Sequence, residues 1–338
     1  MAVLAAAGQA EAGEHALDRL LRATRSEMDK VNTLILSRAD SRVEMVPQLA
    51  RYLIDAGGKR LRPMLTVASA MAFGTADGSQ TNFAAAVEFL HNATLLHDDV
   101  VDESDMRRGR PAARMVWGNQ ASVLVGDFLL GQAFLMMVET GKLDALYVLS
   151  RAATVIAEGE VLQLSKVRDL DTTPEDYNAV IHAKTATLFA AAAEVGALSA
   201  TVDRAAIAAM RDYGEQLGMA FQLVDDVLDY RGESGAMGKN TGDDLREGKM
   251  TLPVILALKQ ATAEERETIT AALGNLDASA ETLAQVVGML ARYGALDATI
   301  KKAHEHVAAA RAALAPLPAS EMKDILGEIA EFYVSRAY

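Results

Sequence analysis

Proline is scarce in this chain, and the positions of its seven prolines leave long intervals that no proline interrupts. These intervals are rich in alanine, leucine, methionine, glutamate and glutamine, which have high intrinsic helix propensity. Regular alternation of apolar and polar residues is rare, and no Asn-Gly turn lies between two strand-like runs. The sequence therefore predicts an all-α fold, with helices at 14–38, 43–56, 60–73, 80–102, 112–139, 142–165, 174–199, 203–230, 250–260, 263–273, 280–293, 296–314 and 319–335.

Charge and composition exclude several classes of protein. The formal net charge of −13 disfavours binding to nucleic acid or to an anionic membrane. The chain has no cysteine, so disulfides, thiolate metal sites and cysteine nucleophiles are excluded. Apolar stretches such as 188–193 are shorter than the roughly 18–20 residues of a membrane span. We therefore expect a cytoplasmic protein without a membrane span, in which residues 1–338 form one domain and 1–13 a disordered extension.

Two aspartate clusters share one pattern, DDVVD at 98–102 and DDVLD at 225–229. On a helix the first and third aspartates of each cluster share a face, where like charges oppose folding unless a cation binds. Carboxylate ligands without cysteine indicate a hard ion, Mg²⁺ before Zn²⁺. One such cluster alone is more often a solvated helix face. Two copies, each followed by a loop with basic residues, favour a pair of helices that binds Mg²⁺ between them.

Basic residues lie beside these clusters, at a helix start or in nearby loops. Arginine offers two parallel donors to a phosphate group, and lysine offers a compact point charge. His91 lies seven residues before Asp98 on the same predicted helix face, so it could donate to a phosphate near the metal. A surface or structural role is the alternative for each residue alone, but the combination predicts a diphosphate site. The basic candidates are Lys59, Arg62, Arg107, Arg108, Lys184, Lys239 and Lys249.

Together these residues resemble the trans-isoprenyl diphosphate synthase family, and most closely its long-chain bacterial members. The matching segments occur in the order typical of the family and cover most of the chain up to residue 260, whereas the helices after it carry no motif. These segments are GGKRLRP (57–63), EFLHNATLLHDDVVDESDMRRGRP (88–111), EGEVLQL (158–164), HAKTATLF (182–189), FQLVDDVLDY (221–230) and GKNTGDDLREGKMTLP (238–253).

The resemblance implies a single helical bundle around a central cavity, the isoprenoid synthase fold, and a homodimer. It also implies that isopentenyl diphosphate is added head to tail to an allylic diphosphate of the farnesyl or geranyl type. Several Mg²⁺ ions in each active site would assist ionisation, before condensation and proton elimination. The product would be a long all-trans polyprenyl diphosphate for quinone side chains, released through peripheral contact with a membrane.

The resemblance also assigns roles to individual residues by motif match. The metal ligands would be Asp98, Asp102 and Asp225, with weaker help from Asp229. Isopentenyl diphosphate would be bound by Lys59, Arg62, His91 and Arg108. The allylic diphosphate would be bound by Arg107, Lys184, Thr185, Gln222 and Lys239. Catalytic roles near the reacting carbons would fall to Lys184, Thr185 and Gln222. Because Asp99 is not among the implied ligands, we expect its substitution by alanine to matter far less.

Product length should depend on the residues one helical turn before the first cluster. Ala93 and Thr94 are small, whereas short-chain relatives typically have aromatic residues at this level. A tunnel could therefore pass this turn, which predicts a product from octaprenyl to decaprenyl. Close helix packing is the alternative reason for small residues here. The deeper tunnel wall is expected to include Leu90, Ala86, Val123, Leu124, Phe128 and Met136.

Two other functions remain open at the level of sequence. A terpene cyclase also uses an aspartate-rich motif on a helical fold, but the residues implied for isopentenyl diphosphate and an aromatic content of only 5% count against it. A non-catalytic subunit of a heteromeric prenyl synthase is the second alternative. Two intact aspartate clusters count against that one.

Overall fold

The computed structural model describes residues 2–55, 58, 60–74, 76–231 and 242–335, with side chains from residue 16 onward. A two-stranded antiparallel hairpin, β1 (Met106–Arg107) and β2 (Arg110–Pro111), follows the fourth helix. The helices are α1 (Ala2–Arg38), α2 (Met45–Asp55), α3 (Leu61–Met71), α4 (Ser79–Val101), α5 (Ala113–Trp117), α6 (Asn119–Glu139), α7 (Leu143–Lys166), α8 (Pro174–Ile181), α9 (Thr187–Leu198), α10 (Arg204–Arg231), α11 (Asp243–Arg246), α12 (Leu252–Leu258), α13 (Ala263–Ala272), α14 (Ala280–Arg292), α15 (Ala295–Ala313) and α16 (Glu321–Ser335).

The all-α prediction is confirmed, and the predicted helices largely coincide with the observed ones. Helix α1 begins at Ala2, so residues 2–13, which we expected to form a disordered extension, belong to this helix. The predicted helix at 112–139 is divided at Gly118, whose φ of +85° ends α5 and suits glycine because it has no Cβ. The hairpin β1–β2 was not predicted, because strands of two residues leave no periodic pattern.

Helix α9 lies at the centre of the bundle. Its sequence, TLFAAAAEVGAL, is apolar around almost its whole circumference, which is typical of a helix enclosed by neighbours. It contacts α3, α4, α7 and α10, and the four alanines at 190–193 are all buried. Alanine leaves room for neighbouring helices to approach closely. The helices that carry the candidate site are therefore held against one central helix.

A π-helical turn, His182–Ala186, joins α8 to α9 and carries Lys184 and Thr185. The backbone N–H of Thr187 donates to the carbonyl of His182, five residues earlier. Such turns occur inside α-helices and frequently at functional sites. The helix predicted at 174–199 is therefore interrupted at the position of two candidate catalytic residues.

Two glycines allow neighbouring helices to touch this π-helical turn. A Cβ atom at Gly159 of α7 would lie 2.6 Å from Ala183 Cβ. A Cβ atom at Gly218 of α10 would lie 2.6 Å from Ala186 Cα. Any larger residue at these positions would push its helix away from the turn. The absence of these two side chains brings α7 and α10 against the turn.

Among the described residues, α6 is the one helix that is long and apolar enough to cross a membrane. In its apolar stretch of 18 residues, 39% of the residues are buried. The sequence prediction overlooked it because polar residues such as Asp127 interrupt its apolar run. A single helix of this kind is weak evidence for a span, because core helices of other proteins have the same length and composition. Part of its apolar surface is exposed, including Leu124 and Val138.

Candidate active site

Both aspartate clusters lie toward the C-terminal ends of long helices, the first on α4 and the second on α10. Asp102, directly after α4, accepts a hydrogen bond of 3.1 Å from Lys249 Nζ. Lys249 follows α11, in the segment of chain that comes after the second cluster. The two residues are 147 positions apart in the sequence. Their contact joins the end of α4 to the segment that follows α11.

In the first cluster, Asp99 is fully buried and forms an ion pair with Arg107 of β1. Its Oδ1 accepts from Arg107 Nε at 2.7 Å and from Nη2 at 2.5 Å. Burial raises the pKa of Asp99, while the charge of Arg107 opposes that rise. Asp99 therefore holds Arg107, a residue that the family resemblance implies for the allylic diphosphate. The expectation that its substitution affects turnover far less than that of Asp98 stays a prediction.

Asp98 faces a region crowded with other charges. Burial is the main cause that raises its pKa to about 7, and the negative charges of Glu160 and Asp102 add to the rise. The positive charges of Lys184 and Arg107 oppose it. Without a bound cation, this part of the site holds more negative charge than its surroundings stabilise.

The second cluster has a different environment. Asp226 is 3% exposed and accepts hydrogen bonds from the Tyr177 hydroxyl at 2.6 Å and from Gln222 Nε2 at 2.7 Å. Burial, with a contribution from the charge of Asp244, raises its pKa to about 7. Asp229 Oδ2 accepts from the backbone N–H of Asp244 at 3.3 Å. The third aspartate of this cluster thus helps to hold the first turn of α11.

Three of the four residues implied for isopentenyl diphosphate lie together. Arg62 Nη1 is 3.3 Å from His91 Nε2, and since an arginine can only donate, this nitrogen of His91 accepts. Burial, together with the charges of Arg62 and Arg108, lowers the pKa of His91 well below its usual range. A Cβ at Gly58 would lie 2.8 Å from Arg108 Nη1. The result is a buried cationic pocket with a neutral histidine.

Arg62 is the most deeply placed cation of this pocket. Burial lowers its pKa to about 10, although the charges of Glu88 and Asp225 act in the opposite direction. Its guanidinium carbon lies 4.5 Å from the centre of the Phe189 ring. Its Nε is buried and has no hydrogen-bond partner among the described residues. A buried donor of this kind is costly unless a ligand accepts from it, so the pocket is suited to an anion.

The residues implied for catalysis are also brought together. Lys184 Nζ lies 2.7 Å from Glu160 Oε2 of α7. The hydroxyl of Thr185 donates to Gln222 Oε1 at 2.8 Å. Lys184 and Thr185 come from the π-helical turn and Gln222 from α10, so the close contact that Gly218 permits is what places these groups side by side.

The donor atoms present here fit a divalent metal that is shared with a ligand. Among the described residues, no three acidic or histidine side chains are close enough to hold an ion by themselves. Mg²⁺ typically binds through one or two carboxylates and completes its shell with water and substrate phosphates. The excess negative charge at Asp98 and the ammonium of Lys249 beside Asp102 both indicate that cationic charge belongs in this region.

The residues expected to control product length differ in their surroundings. Ala93 is buried, whereas Thr94 is half-buried and its hydroxyl donates to the backbone carbonyl of His91 at 2.8 Å. Of the residues expected in the deeper wall, Val123 and Leu124 are 37% and 66% exposed. In the single chain they lie on the exposed side of α6, where both line a surface cavity, and their place in the tunnel wall stays a prediction.

Two candidate residues, Lys59 and Lys239, lie outside the described residues. The sequence analysis missed Glu160, which pairs with Lys184, and Tyr177, which binds Asp226. Glu160 is part of the matching segment EGEVLQL, but its partner is evident only in three dimensions. Tyr177 lies seven residues before Lys184, a spacing of about two helical turns that it shares with ordinary core residues.

Comparisons with known proteins give a consistent result. A sequence profile of the family described as Polyprenyl synthetase matches residues 43–290. Octaprenyl diphosphate synthase of Escherichia coli (strain K12) is 45% identical over 322 residues, which cover 95% of this chain and 99% of that protein.

Solved structures are similar over the same extent. Polyprenyl synthase from Caulobacter crescentus CB15, complexed with calcium and isoprenyl diphosphate, has a TM-score of 0.91 and 50% identity, covering 95% of this chain and 98% of that chain. A decaprenyl diphosphate synthase from Rhodobacter capsulatus has a TM-score of 0.90 and 45% identity, covering 95% and 99%. The similarity therefore includes both aspartate helices and the helices after residue 260.

Proposed function

The chain belongs to the polyprenyl synthetase family and is a prenyltransferase, and from this premise we propose that it adds isopentenyl diphosphate units to an allylic diphosphate. Repeated additions give a long-chain all-trans polyprenyl diphosphate. The similar proteins from E. coli and R. capsulatus are named for octaprenyl and decaprenyl products, which supports a product in that range. Its use for quinone side chains and a cytoplasmic location stay predictions.

The site contains two separate sets of anion-binding groups, with the hydrogen-bonded pair Thr185 and Gln222 beside them, and this observation carries the proposal. Arg62, His91 and Arg108 form one set, in which Arg62 Nε is buried without a partner among the described residues. Lys184 and Arg107, which both lie near the proposed metal ligand Asp98, form the other. A reaction between two diphosphates requires such a division, since each substrate carries its own charged group.

We assign isopentenyl diphosphate to the first set. The Arg62 guanidinium can donate two parallel hydrogen bonds to a phosphate. The neutral His91 can donate through the ring nitrogen that does not face Arg62. This arrangement supports the role in which these residues hold the diphosphate while its double bond extends toward the allylic substrate.

We assign the allylic diphosphate to the second set, with Asp98, Asp102 and Asp225 as metal ligands. Bound Mg²⁺ would neutralise the charge of the leaving diphosphate. Lys184, held by Glu160, would contribute a further positive charge to the same group. Thr185 and Gln222 would direct their oxygen dipoles at the allylic carbon as positive charge develops there. The buried apolar surroundings would keep water from that carbon.

We further propose a homodimer formed through α6 and the start of α7. Large apolar side chains are exposed there: Leu124 is 66%, Leu135 is 53%, Val138 is 58%, Leu143 is 76% and Tyr147 is 65% exposed. Exposed apolar patches of this kind mark protein interfaces. A second copy of the chain is a suitable partner, because symmetric dimers bury the same surface of both subunits.

The dimer is tested by measuring molar mass with light scattering during gel filtration. The wild-type protein should elute with twice the mass of one chain, and Leu124→Glu should give monomers. Val202→Glu is the control, because Val202 is also exposed, at 94%, but lies outside this surface. A wild-type monomer would contradict the proposal.

The activity is tested with the purified protein, Mg²⁺, farnesyl diphosphate and isopentenyl diphosphate. The expected result is a polyprenyl diphosphate with eight to ten isoprene units, identified by mass. A cyclic hydrocarbon would indicate a terpene cyclase instead. No reaction from the protein alone, followed by activity on addition of a second chain, would indicate a subunit of a heteromeric enzyme.

A further inference from the structure

Four buried or half-buried side chains form a continuous chain of hydrogen bonds that ends at the proposed reacting region. Tyr177 of α8 donates to Asp226 Oδ2 at 2.6 Å. Gln222 Nε2 donates to Asp226 Oδ1 at 2.7 Å. Thr185 Oγ1 donates to Gln222 Oε1 at 2.8 Å. Thr185 and Gln222 already have a place in the proposed reaction, but Tyr177 and Asp226 do not.

The direction of each hydrogen bond follows from the first acceptor. Asp226 accepts through both of its oxygens, from the Tyr177 hydroxyl at Oδ2 and from Gln222 Nε2 at Oδ1. The amide of Gln222 therefore turns its NH₂ group to Asp226 and its carbonyl oxygen to Thr185. That carbonyl can only accept, so the hydroxyl proton of Thr185 points toward it. Thr185 therefore presents only the lone pairs of its Oγ1 atom to the reacting region.

From these contacts we propose that Tyr177 is a positioning residue that acts through Asp226. Together they hold the Gln222 amide in one orientation, so that Thr185 presents oxygen lone pairs, and not its proton, to the ionising allylic carbon. The inference rests on the proposed function, since it concerns the stabilisation of positive charge in that reaction. Oriented dipoles that need no rearrangement during the reaction are an effective source of such stabilisation.

The surroundings of Tyr177 and Asp226 agree with this role. Both residues are almost completely buried, at 4% and 3% exposure. Burial and the charge of Asp226 raise the pKa of Tyr177 well above its usual range, so its hydroxyl keeps the proton that it donates. No lysine or arginine of the described residues forms an ion pair with Asp226. Its carboxyl group is therefore held by two neutral donors whose positions it fixes in return.

The first test is Tyr177→Phe, which removes only the hydroxyl. The first condensation is followed in a single turnover with farnesyl diphosphate and labelled isopentenyl diphosphate. We expect the rate constant to fall by about 10-fold, the effect of one lost hydrogen bond to a charged group. The dissociation constants of both substrates should stay within about twofold of wild type, because Tyr177 contacts neither diphosphate site.

Tyr213→Phe is the matched control. Tyr213 is fully buried in α10, and its hydroxyl donates to the Leu326 carbonyl at 2.7 Å. This variant loses a buried phenol hydrogen bond of the same kind, away from the candidate site. We expect a loss of thermal stability similar to that of Tyr177→Phe, with an unchanged single-turnover rate. The comparison separates a loss of packing or stability from a loss of orientation.

The second test asks whether Tyr177 acts through Asp226. In Asp226→Asn, the new amide keeps its oxygen toward the buried Tyr177 hydroxyl, which has no other acceptor among the described residues. Its NH₂ group then faces the NH₂ group of Gln222, so the Gln222 amide turns over and Thr185 Oγ1 becomes an acceptor. Its proton then points toward the allylic carbon, and we expect the rate to fall by about 100-fold. In the double variant, Tyr177→Phe should cause no further loss, as for two residues that act as one unit.

Three results would overturn the inference. These are a wild-type single-turnover rate for Tyr177→Phe, losses that multiply in the double variant, or weaker substrate binding at an unchanged rate. Each requires a wild-type enzyme that condenses its substrates. A wild-type protein that incorporates no isopentenyl diphosphate overturns the proposed function itself, and this inference with it, so the two failures are distinguishable.

Discussion

The two aspartate clusters have the same spacing on similar helices, yet their second aspartates are neutralised in opposite ways. Asp99 pairs with a cation, Arg107, which lies only eight positions further along the chain. Asp226 is held by the neutral donors Tyr177 and Gln222. The first cluster is therefore a local ion pair beside proposed metal ligands, and the second is the centre of a hydrogen-bond network. An identical motif does not give its residues identical roles.

The largest expected effect tests what the two clusters share. Asp98→Ala and Asp225→Ala should each lower the rate of isopentenyl diphosphate incorporation by about 1,000-fold, roughly 4 kcal/mol of transition-state stabilisation. Removal of divalent metal with a chelator should abolish turnover in the wild type, and added Mg²⁺ should restore it. A loss of less than about 10-fold in either variant would remove that cluster from the metal site.

The next prediction separates the second aspartates by stability. Asp99→Asn leaves Arg107 without its charged partner, and we expect the free energy of unfolding to fall by about 2 kcal/mol. This is less than for a fully buried pair, because the Arg107 side chain is 26% exposed. Asp226→Asn removes a buried charge that has no cationic partner among the described residues, so it should change stability by less than about 1 kcal/mol.

Urea unfolding of both variants, each compared with wild type at neutral pH, measures this difference. The single-turnover rate of condensation is measured for the same variants. We expect Asp226→Asn to lower this rate strongly although it changes stability little. Equal losses of stability at the two positions would show that the clusters are neutralised alike.

The helices also differ one turn before their clusters. Thr94 precedes Asp98 by four residues, and Phe221 occupies the equivalent place before Asp225. An open path for a growing hydrocarbon is therefore expected along α4 and not along α10. Ala93→Tyr should shorten the main product by at least one isoprene unit, as measured by mass spectrometry. Ala205→Tyr, at an exposed position on α10, is the control, and an unchanged product in Ala93→Tyr would reject this path.

The smallest effect concerns His91, which lies seven residues before Asp98. The equivalent position on α10, seven residues before Asp225, is Gly218. Unfolded His91 takes up a proton near its usual pKa of 6.5, whereas the folded protein keeps it neutral to a lower pH. Unfolding therefore binds a proton below pH 6.5, and stability is lost as the pH falls. His91→Gln should reduce this loss by up to about 1.4 kcal/mol per pH unit.

Urea unfolding between pH 7 and about pH 5 measures the slope. His182→Gln is a control with the opposite sign, because a hydrogen bond to Glu215 raises the pKa of His182. The stability that His182 adds is present below pH 6.5 and lost as the pH rises through its raised pKa. If His91→Gln and His182→Gln shift the slope in the same direction, the burial of a neutral His91 is contradicted.

The fold was largely predictable from the sequence because helix propensity and proline spacing are local properties. Most long helices appear near their predicted bounds, and the family resemblance named the residues that converge at Arg62 and at Thr185. The pairing of Asp99 with Arg107 was not foreseen, although the two residues are close in sequence, because a two-residue strand leaves no pattern. Tyr177 was missed since its partner lies 49 positions away. Such contacts depend on how helices approach each other.

The π-helical turn at 182–186 gives this protein a sensitivity to insertions and deletions that substitutions would not reveal. Each residue of a helix advances its angle by about 100°. The π-helical turn already takes up one residue more than a regular α-helical turn, so a further residue inserted between Tyr177 and the turn would rotate Tyr177 by that angle relative to α9. Tyr177 would then swing away from Asp226 although every side chain of the network was still present. The number of residues between Tyr177 and α9 therefore matters for the network as much as the identity of its side chains.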